Sequence, residues 1–510
     1  MRREYFKPNA IRIREAALRI GPGAEFYTIS MGGSAIGYAS STVDTTREGL
    51  GVQDLMVVDI EALGKVQRTQ LSTDIRLTRD LRVRSFEATL TAPGGTFHAR
   101  GDVEGDSVLT VSIDAGASSP QNTRVRLKRP IVLSSMVPLQ LAFGHQLAPG
   151  QVYALPVLDP MLMEERDVTV RVVAESTLVV PDSARLDSVT RRWVPARQDT
   201  LTAWKIAEDY GGYSTETWID RQGRVVSAVS PLGFRIERTA FEMAVQNWRL
   251  DAASGRAAAA TARGGPGGGG GGGGDVIAAT AITANVALAP ENLGVLRVRL
   301  GNVRLGGFDL AGGRQLLEGD TLVVRRETGM GGLAGTQPRL YLARLPVRDT
   351  ALEADLASEP LVQSDDPRIQ AQARQIAGRE RRAGPVAELL THWVFGNLKK
   401  EITISVPSAV QVLEDRRGDC NEHTVLYVAL ARALGLPART AAGLVYLRGR
   451  FYYHAWPEVW LGQWVAVDPT FGQFPADASH LRFVIGGLAR QVELLRLIGR
   501  VHVAVVGGGR

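Results

Sequence analysis

Between about residue 26 and residue 250 apolar and polar positions alternate with a period of two. "EFYTISMGGSAIGYASSTVD" alternates on both sides of Gly32-Gly33. Further on, Ile75, Leu77, Leu81, Val83, Phe86 and Ala88 stand among polar residues, with turns at Pro93-Gly94-Gly95 and Glu104-Gly105-Asp106. "YSTETWIDRQGRVVSAVSPLGFRIERT" repeats the theme around Arg221-Gln222-Gly223. Alternation broken by Gly-rich turns predicts antiparallel sheet with one wet face.

The period changes toward the C-terminus. "NLGVLRVRLGNVRLGGFDLAGGRQLLEGDTLVVRRE" still reads as β, but from Asp366 the spacing is helical. Asp366-Pro367 supplies a cap and a first-turn residue, and Ile369, Ala373 and Ile376 share a face. Gly384-Pro385 is expected to end this helix, with another over 386–395. Residues 421–434 carry an apolar stripe of Val425, Leu426, Val428, Ala429, Ala433 and Leu434. Gly435 is a natural residue to close it before Pro437. Short strands follow residue 440.

Strands, then helices, then strands predict a multidomain chain: an antiparallel β-rich N-terminal region and an α+β C-terminal domain. The expected divisions are an extension at 1–25, a β-rich domain at 26–250, a linker at 251–275, a second β segment at 276–348 and the α+β domain at 349–500. The linker rests on "ASGRAAAATARGGPGGGGGGGGD", with eight consecutive glycines from Gly267 to Gly274. Such a tract has no side chains to bury against its ordering entropy. A phosphate-cradling reading fails, because no Lys-Ser/Thr follows and no strand leads in.

Composition narrows the functional classes. The 510 residues carry a net charge of +6, which is mild at this length. No basic run with interleaved aromatics marks a nucleic-acid partner. The single cysteine excludes an intrachain disulfide and a Cys-rich zinc site. The N-terminus is basic without a continuous apolar core, so no signal peptide is recognisable, and no apolar run is long enough to predict a transmembrane helix. No cofactor motif, metal motif or calcium loop of the Asp-x-Asp-x-Asp-Gly kind is present. Oligomeric state is left open.

The one cysteine lies in "RRGDCNEHTVLYVALARALGLPAR". Gly418-Asp419 forms the turn into the helix, so Cys420 stands at its first turn, where unpaired N–H groups and the positive end of the dipole favour a thiolate. The bland alternative is a small buried hydrophobe. Two further segments weigh against it. "YYHAWPEVW" places His454 in a strand, and "WVAVDPT" ends a strand at Asp468. A turn at Leu461-Gly462-Gln463 would set the two opposite each other, or within about one register step. A carboxylate there can orient an imidazole, which can take the proton from the thiol. Taken singly, His454 could be a core histidine and Asp468 a turn residue before Pro469.

"GDCNEHTVLYVALARALGLPAR", "HAWPEVWLGQWVAVDPT" and "DASH" resemble the core of the transglutaminase-like superfamily over about residues 366–483. The resemblance implies a papain-like fold with Cys420 as nucleophile, His454 as base and Asp468 as orienter. It also implies an oxyanion partner upstream of the cysteine, for which Trp393 and Asn397 are candidates beside the backbone N–H of Cys420. The expected activity is acyl transfer on a peptide or carboxamide through a thioester, with hydrolysis ahead of glutamine crosslinking, and with an inactive binding or assembly protein as the competing class. The expected partner is a protein or peptide substrate. The N-terminal strands resemble the β-rich domains that precede such cores in bacterial envelope proteins. That implies a curved-sheet half-barrel, with binding of a hydrophobic or peptide ligand as its functional reading and a scaffold for the catalytic domain as the preferred bland one, and it leans the compartment to the periplasm or beyond.

Overall fold

The computed structural model describes residues 20, 22–45, 49–62, 65–116, 120–159, 164–210, 214–230, 233–251, 281–327, 343–401, 408–497 and 500–509. The glycine tract at 267–274 and most of the N-terminal extension lie outside them. The chain divides into two compact units. One comprises Met1–Thr91, His98–Ser112 and Asn122–Asp275; the other comprises Ala92–Phe97, Ile113–Gln121 and Val276–Arg510.

The alternating N-terminal pattern folds into one fifteen-stranded sheet. Two meanders meet where Gly23–Met31 pairs with Ser34–Thr45 on one side and with Phe234–Thr239 on the other, both antiparallel. A short parallel edge pair joins Val132–Leu133 to Val152–Asp159. The Gly-rich turns fall where the pattern breaks: Gly32 and Gly33 both take positive φ (58° and 86°), which a tight hairpin of the sheet's twist requires. Val83 and Phe86 are three residues apart yet both buried. A bulge explains it: Arg76 pairs Ser85 while Leu77 pairs Val83, so Arg84 is the extra residue and the apolar set stays on one face. A short helix, α1 (Val137–Gly144), follows the first meander.

The second unit is α+β. Its longer helices are α2 (Pro367–Ala377), α3 (Ala383–Asn397), α4 (Ala409–Asp415) and α5 (Cys420–Ala433). Asp366 caps α2 by accepting the Arg368 N–H, with Pro367 in the first turn. The expected helix end at Gly384-Pro385 is corrected. Helix α2 stops at Gly378 in a positive-φ conformation (52°), and Gly384-Pro385 lie inside the first turn of α3. Proline is tolerated there because first-turn N–H groups have no helical partner to lose.

Helix α5 is the axis of this unit. Residues 422–432 are buried all round, so the apolar stripe seen in the sequence understates its enclosure. It packs on α2, α3 and α4, and on the strands Ala438–Leu447 and Arg450–Trp460. Those strands pair with each other; Ile282–Thr283 and Trp464–Ala466 flank the second, and His480–Ile485 the first. A separate four-stranded sheet joins Gln315–Glu318, Thr321–Arg325, Val295–Gly301 and His502–Gly509. Among the described residues no helix is long and apolar enough to cross a membrane.

Candidate active site

Helix α5 starts with a capping box. The Asp419 carboxylate accepts the Asn421 N–H at 2.8 Å and also the N–H of Glu422, while Glu422 Oε2 accepts the Asp419 N–H at 2.9 Å. The His423 N–H donates to the Asp419 carbonyl at 3.1 Å. Gly418 is needed for this closure: a Cβ there would stand 2.3 Å from the Glu422 Cβ. Asp419 and Glu422 thus take up three of the first-turn donors between them, and the N–H of Cys420 is not among those used.

Cys420 is partly buried against the sheet core. Its thiol is pushed well up, first by burial and then by Asp419, with Glu422 and Asp468 adding to the effect; the Ala455 N–H pulls the other way. The expectation that a helix start favours the thiolate therefore meets an opponent at the same place, since the cap itself brings two carboxyl groups to the sulfur. Asp419 is also raised, by burial and by Glu422.

His454 lies in the strand Arg450–Trp460, next to the residue whose N–H reaches the sulfur. Its ring is 4.9 Å from the Phe471 ring at an angle of 8°, and 6.1 Å from Trp456 at 25°. Its Nε2 is 2.8 Å from Asp468 Oδ2. The hairpin register is one position from the expected centre: Glu458 pairs Ala466, and the last bond in that register runs from the Val467 N–H to the Pro457 carbonyl at 3.0 Å. Asp468 stands past the strand end, in a turn closed by Gln473, and reaches back to the imidazole with its side chain. Its other oxygen, Oδ1, accepts the N–H groups of Thr470 (2.7 Å) and Phe471 (3.1 Å). Burial opposes its charge, but His454 and His480 outweigh that and hold it far below the usual carboxylate range.

His480 is the residue that the sequence motifs left without a role. It is fully buried; its Nε2 is 2.9 Å from Asp468 Oδ2 and its Nδ1 is 3.2 Å from Asp477 Oδ1. The one signal for it was the "DASH" segment, 26 residues beyond His454.

The ligand atoms of His454, Asp468 and His480 all lie within 4.8 Å of one another. Donors about 2.0–2.1 Å from one tetrahedral ion sit roughly 3.3 Å apart. The contacts of 2.8 and 2.9 Å to a single oxygen are shorter than that, and are those of imidazole N–H groups on a carboxylate.

Of the five residues expected at the site, the structure joins His454 and Asp468 directly. It brings Cys420 close enough to feel the charge of Asp468 and the Ala455 N–H. Among the described residues no hydrogen bond links the Cys420 sulfur to His454. Trp393 is partly buried on α3 with the Arg416 guanidinium 4.6 Å above its ring, and Asn397 is exposed, donating to the Trp393 carbonyl at 2.8 Å.

Residues 370–469 match the family model of the transglutaminase-like superfamily. Among solved structures, a candidate cysteine protease from Cytophaga hutchinsonii is 16% identical over 41% of this chain and 83% of that one, with a TM-score of 0.27. A β-barrel-like protein of a domain of unknown function from Brucella abortus is 13% identical over 43% of this chain and 96% of that one, with a TM-score of 0.31. Likenesses at these TM-scores establish neither fold nor function. No curated protein matches the chain. The match over 370–469 spans the Cys420 turn, the His454 strand and the Asp468 strand end, and the chain carries in its C-terminal region a domain of the transglutaminase-like superfamily.

Proposed function

We propose that the second unit is a cysteine-dependent acyl-transfer enzyme that hydrolyses peptide or carboxamide bonds through a thioester, with Cys420, His454 and Asp468 as its triad. The observation that carries this is the orientation of His454. Asp468 accepts only, so the proton of the imidazole sits on Nε2, and Nδ1 is left with a lone pair to act as a base. His454 Nδ1 takes the thiol proton, and the sulfur attacks the carbonyl carbon. The Cys420 N–H, unused by the cap, stabilises the oxyanion, and Trp393 or Asn397 on α3 supplies a second donor. The carbon–nitrogen bond breaks and the amine leaves with the proton from His454. Water then attacks the thioester, gives its proton to His454, and the sulfur departs to be reprotonated. The missing sulfur–imidazole hydrogen bond fits a resting site whose catalytic contacts tighten only with substrate. The absence of a calcium-loop motif from the sequence favours water over an amine as acceptor.

The test is incubation of the full chain with a diverse peptide library and reading of the products by mass, with Cys420→Ala as control. New free carboxylates that vanish in the control support hydrolysis. Peptides joined through glutamine would replace it with crosslinking. Untouched peptides, together with a Cys420 that no acyl-donor probe labels, would overturn the enzyme reading in favour of a binding or assembly role.

A further inference from the structure

Asp468 is an unusual place to find two imidazoles. Its Oδ1 is occupied by two backbone N–H groups, so Oδ2 alone faces the histidines, and it takes both of them. A histidine that only filled space would need one partner. His480 has a carboxylate at each ring nitrogen, and carboxylates accept only, so both nitrogens carry protons. Asp477 is itself held: its Oδ1 accepts from the Ser479 N–H (2.8 Å) and hydroxyl (2.6 Å), and its Oδ2 from Gln473 (2.8 Å).

Resting on the triad reading above, we infer that His480 is a positioning residue: a fixed, doubly donating cation that locks Asp468 Oδ2 toward His454 and balances the buried carboxylate's charge. Burial works against the charge on His480, but the hydrogen bonds to Asp468 and Asp477 prevail and hold its pKa at about 9. The other polar groups around it are His454, whose ring centre is 5.8 Å away, and the Arg314 guanidinium, which donates to the Asp477 carbonyl at 2.6 Å. Trp456 meets the His480 ring edge-on at 5.1 Å. The consequence concerns the base. A lone buried Asp468 would present a full negative charge to His454, whereas with His480 beside it the pair is neutral, and the imidazole is oriented without being forced into a permanent imidazolium.

Cys420 is the only cysteine, so alkylation of the full chain by iodoacetamide reports this thiol alone. The rate is measured against pH for wild type, His480→Ala, His480→Gln, Asp477→Asn and His454→Ala, with melting curves as the check on folding. His480→Ala is expected to slow labelling at pH 7 by about tenfold and to move the midpoint up by about one pH unit, since Asp468, whose charge already raises the thiol, loses its counter-cation and no longer holds His454 in one place. His480→Gln keeps one donor to Asp468 and should recover part of the rate, with the midpoint still raised. A histidine of purely structural importance would lower the melting temperature and leave the midpoint of the folded protein where it was. A folded His480 variant with the wild-type profile overturns the inference. Should both His480 variants fail to fold, Asp477→Asn keeps both histidines; an upward shift supports the inference and an unmoved midpoint overturns it. The triad reading fails separately, if the His454→Ala curve coincides with that of wild type.

Discussion

The two units differ in how much charge they bury. The interior of the fifteen-stranded sheet is apolar: Leu109, Val111, Val168, Val170 and Ile206 are all fully buried, with few buried polar side chains beside them. The second unit adds clusters of paired ions to its apolar core. Glu458 is buried between Arg439 (2.6 Å) and Arg482 (2.8 Å), Arg314 meets Glu327 at 3.2 Å, and Asp468 and His480 have no exposure at all. Burying a charge costs several kcal/mol per ion after relaxation, and pairing often no more than offsets it. The first unit carries a lighter load of the same kind, with Glu208 buried and Arg238 paired to Asp220 at 3.0 Å, so the units differ in how densely buried charge is clustered, and such clusters concentrate at functional sites.

The comparison can be broken first at the triad. Asp468→Asn should keep the hairpin, at a cost in stability from the unpaired His480, and lower turnover of the folded protein by about 10⁴, because an amide neither stabilises the imidazolium nor fixes the proton on Nε2; a loss of that size is known for the analogous change in a serine protease. Turnover within about tenfold of wild type would make the buried carboxylate structural, and the contrast between the units would lose its functional meaning.

A smaller effect belongs to the arginine-flanked carboxylate. Glu458→Gln leaves two guanidinium groups without their shared anion and should cost about 3–5 kcal/mol in urea unfolding. Alkylation of Cys420 in the folded fraction should be unchanged, since Glu458 lies outside the proposed triad. A cost below about 1 kcal/mol would show that this cluster is solvated more than its burial suggests.

Protonation gives a graded test. His480 is held protonated to about 9, against about 6.5 for a free histidine. Its contribution to stability is therefore complete below pH ~6.5 and is lost as pH rises through about 9, a change on the order of 3 kcal/mol. Asp477 and Asp468 are held far below the ordinary range, so their contribution is present above it and is lost on strong acidification. Melting temperature against pH, for wild type and His480→Gln, should diverge most below pH ~6.5 and converge toward pH 10. Parallel curves would mean that His480 gains nothing from its carboxylates. Ile206→Val in the first unit sets the lower bound: about 0.5–1.5 kcal/mol, with no pH dependence. A pH-dependent loss there would mean that the apolar interior is coupled to a titrating group.

Sequence reading reached the features that are local. Gly32-Gly33, Gly105-Asp106 and Gly223 all adopt positive φ where the alternation breaks, because turn chemistry is written in adjacent residues. His454 and Asp468 were found because a short hairpin ties them together. Three things were not legible. The end of α2 was misplaced, since Gly-Pro punctuates a helix start as readily as a helix end. Arg84 was invisible as a bulge, because alternation on either side of it remains intact. His480 carried no signal beyond "DASH", since its pairing with Asp468 depends on a strand from another part of the sheet arriving beside the first.

The cap that begins α5 has one further consequence, in the language of oxidative damage. Peroxides and stray electrophiles consume thiolates, and the products beyond sulfenic acid are permanent. By burying the Cys420 sulfur and setting Asp419 and Glu422 near it, the helix start pushes its ionisation upward. The consequence is a longer lifetime: burial and the neighbouring carboxyl groups leave less thiolate on the sole cysteine of the chain than an ordinary free thiol would carry.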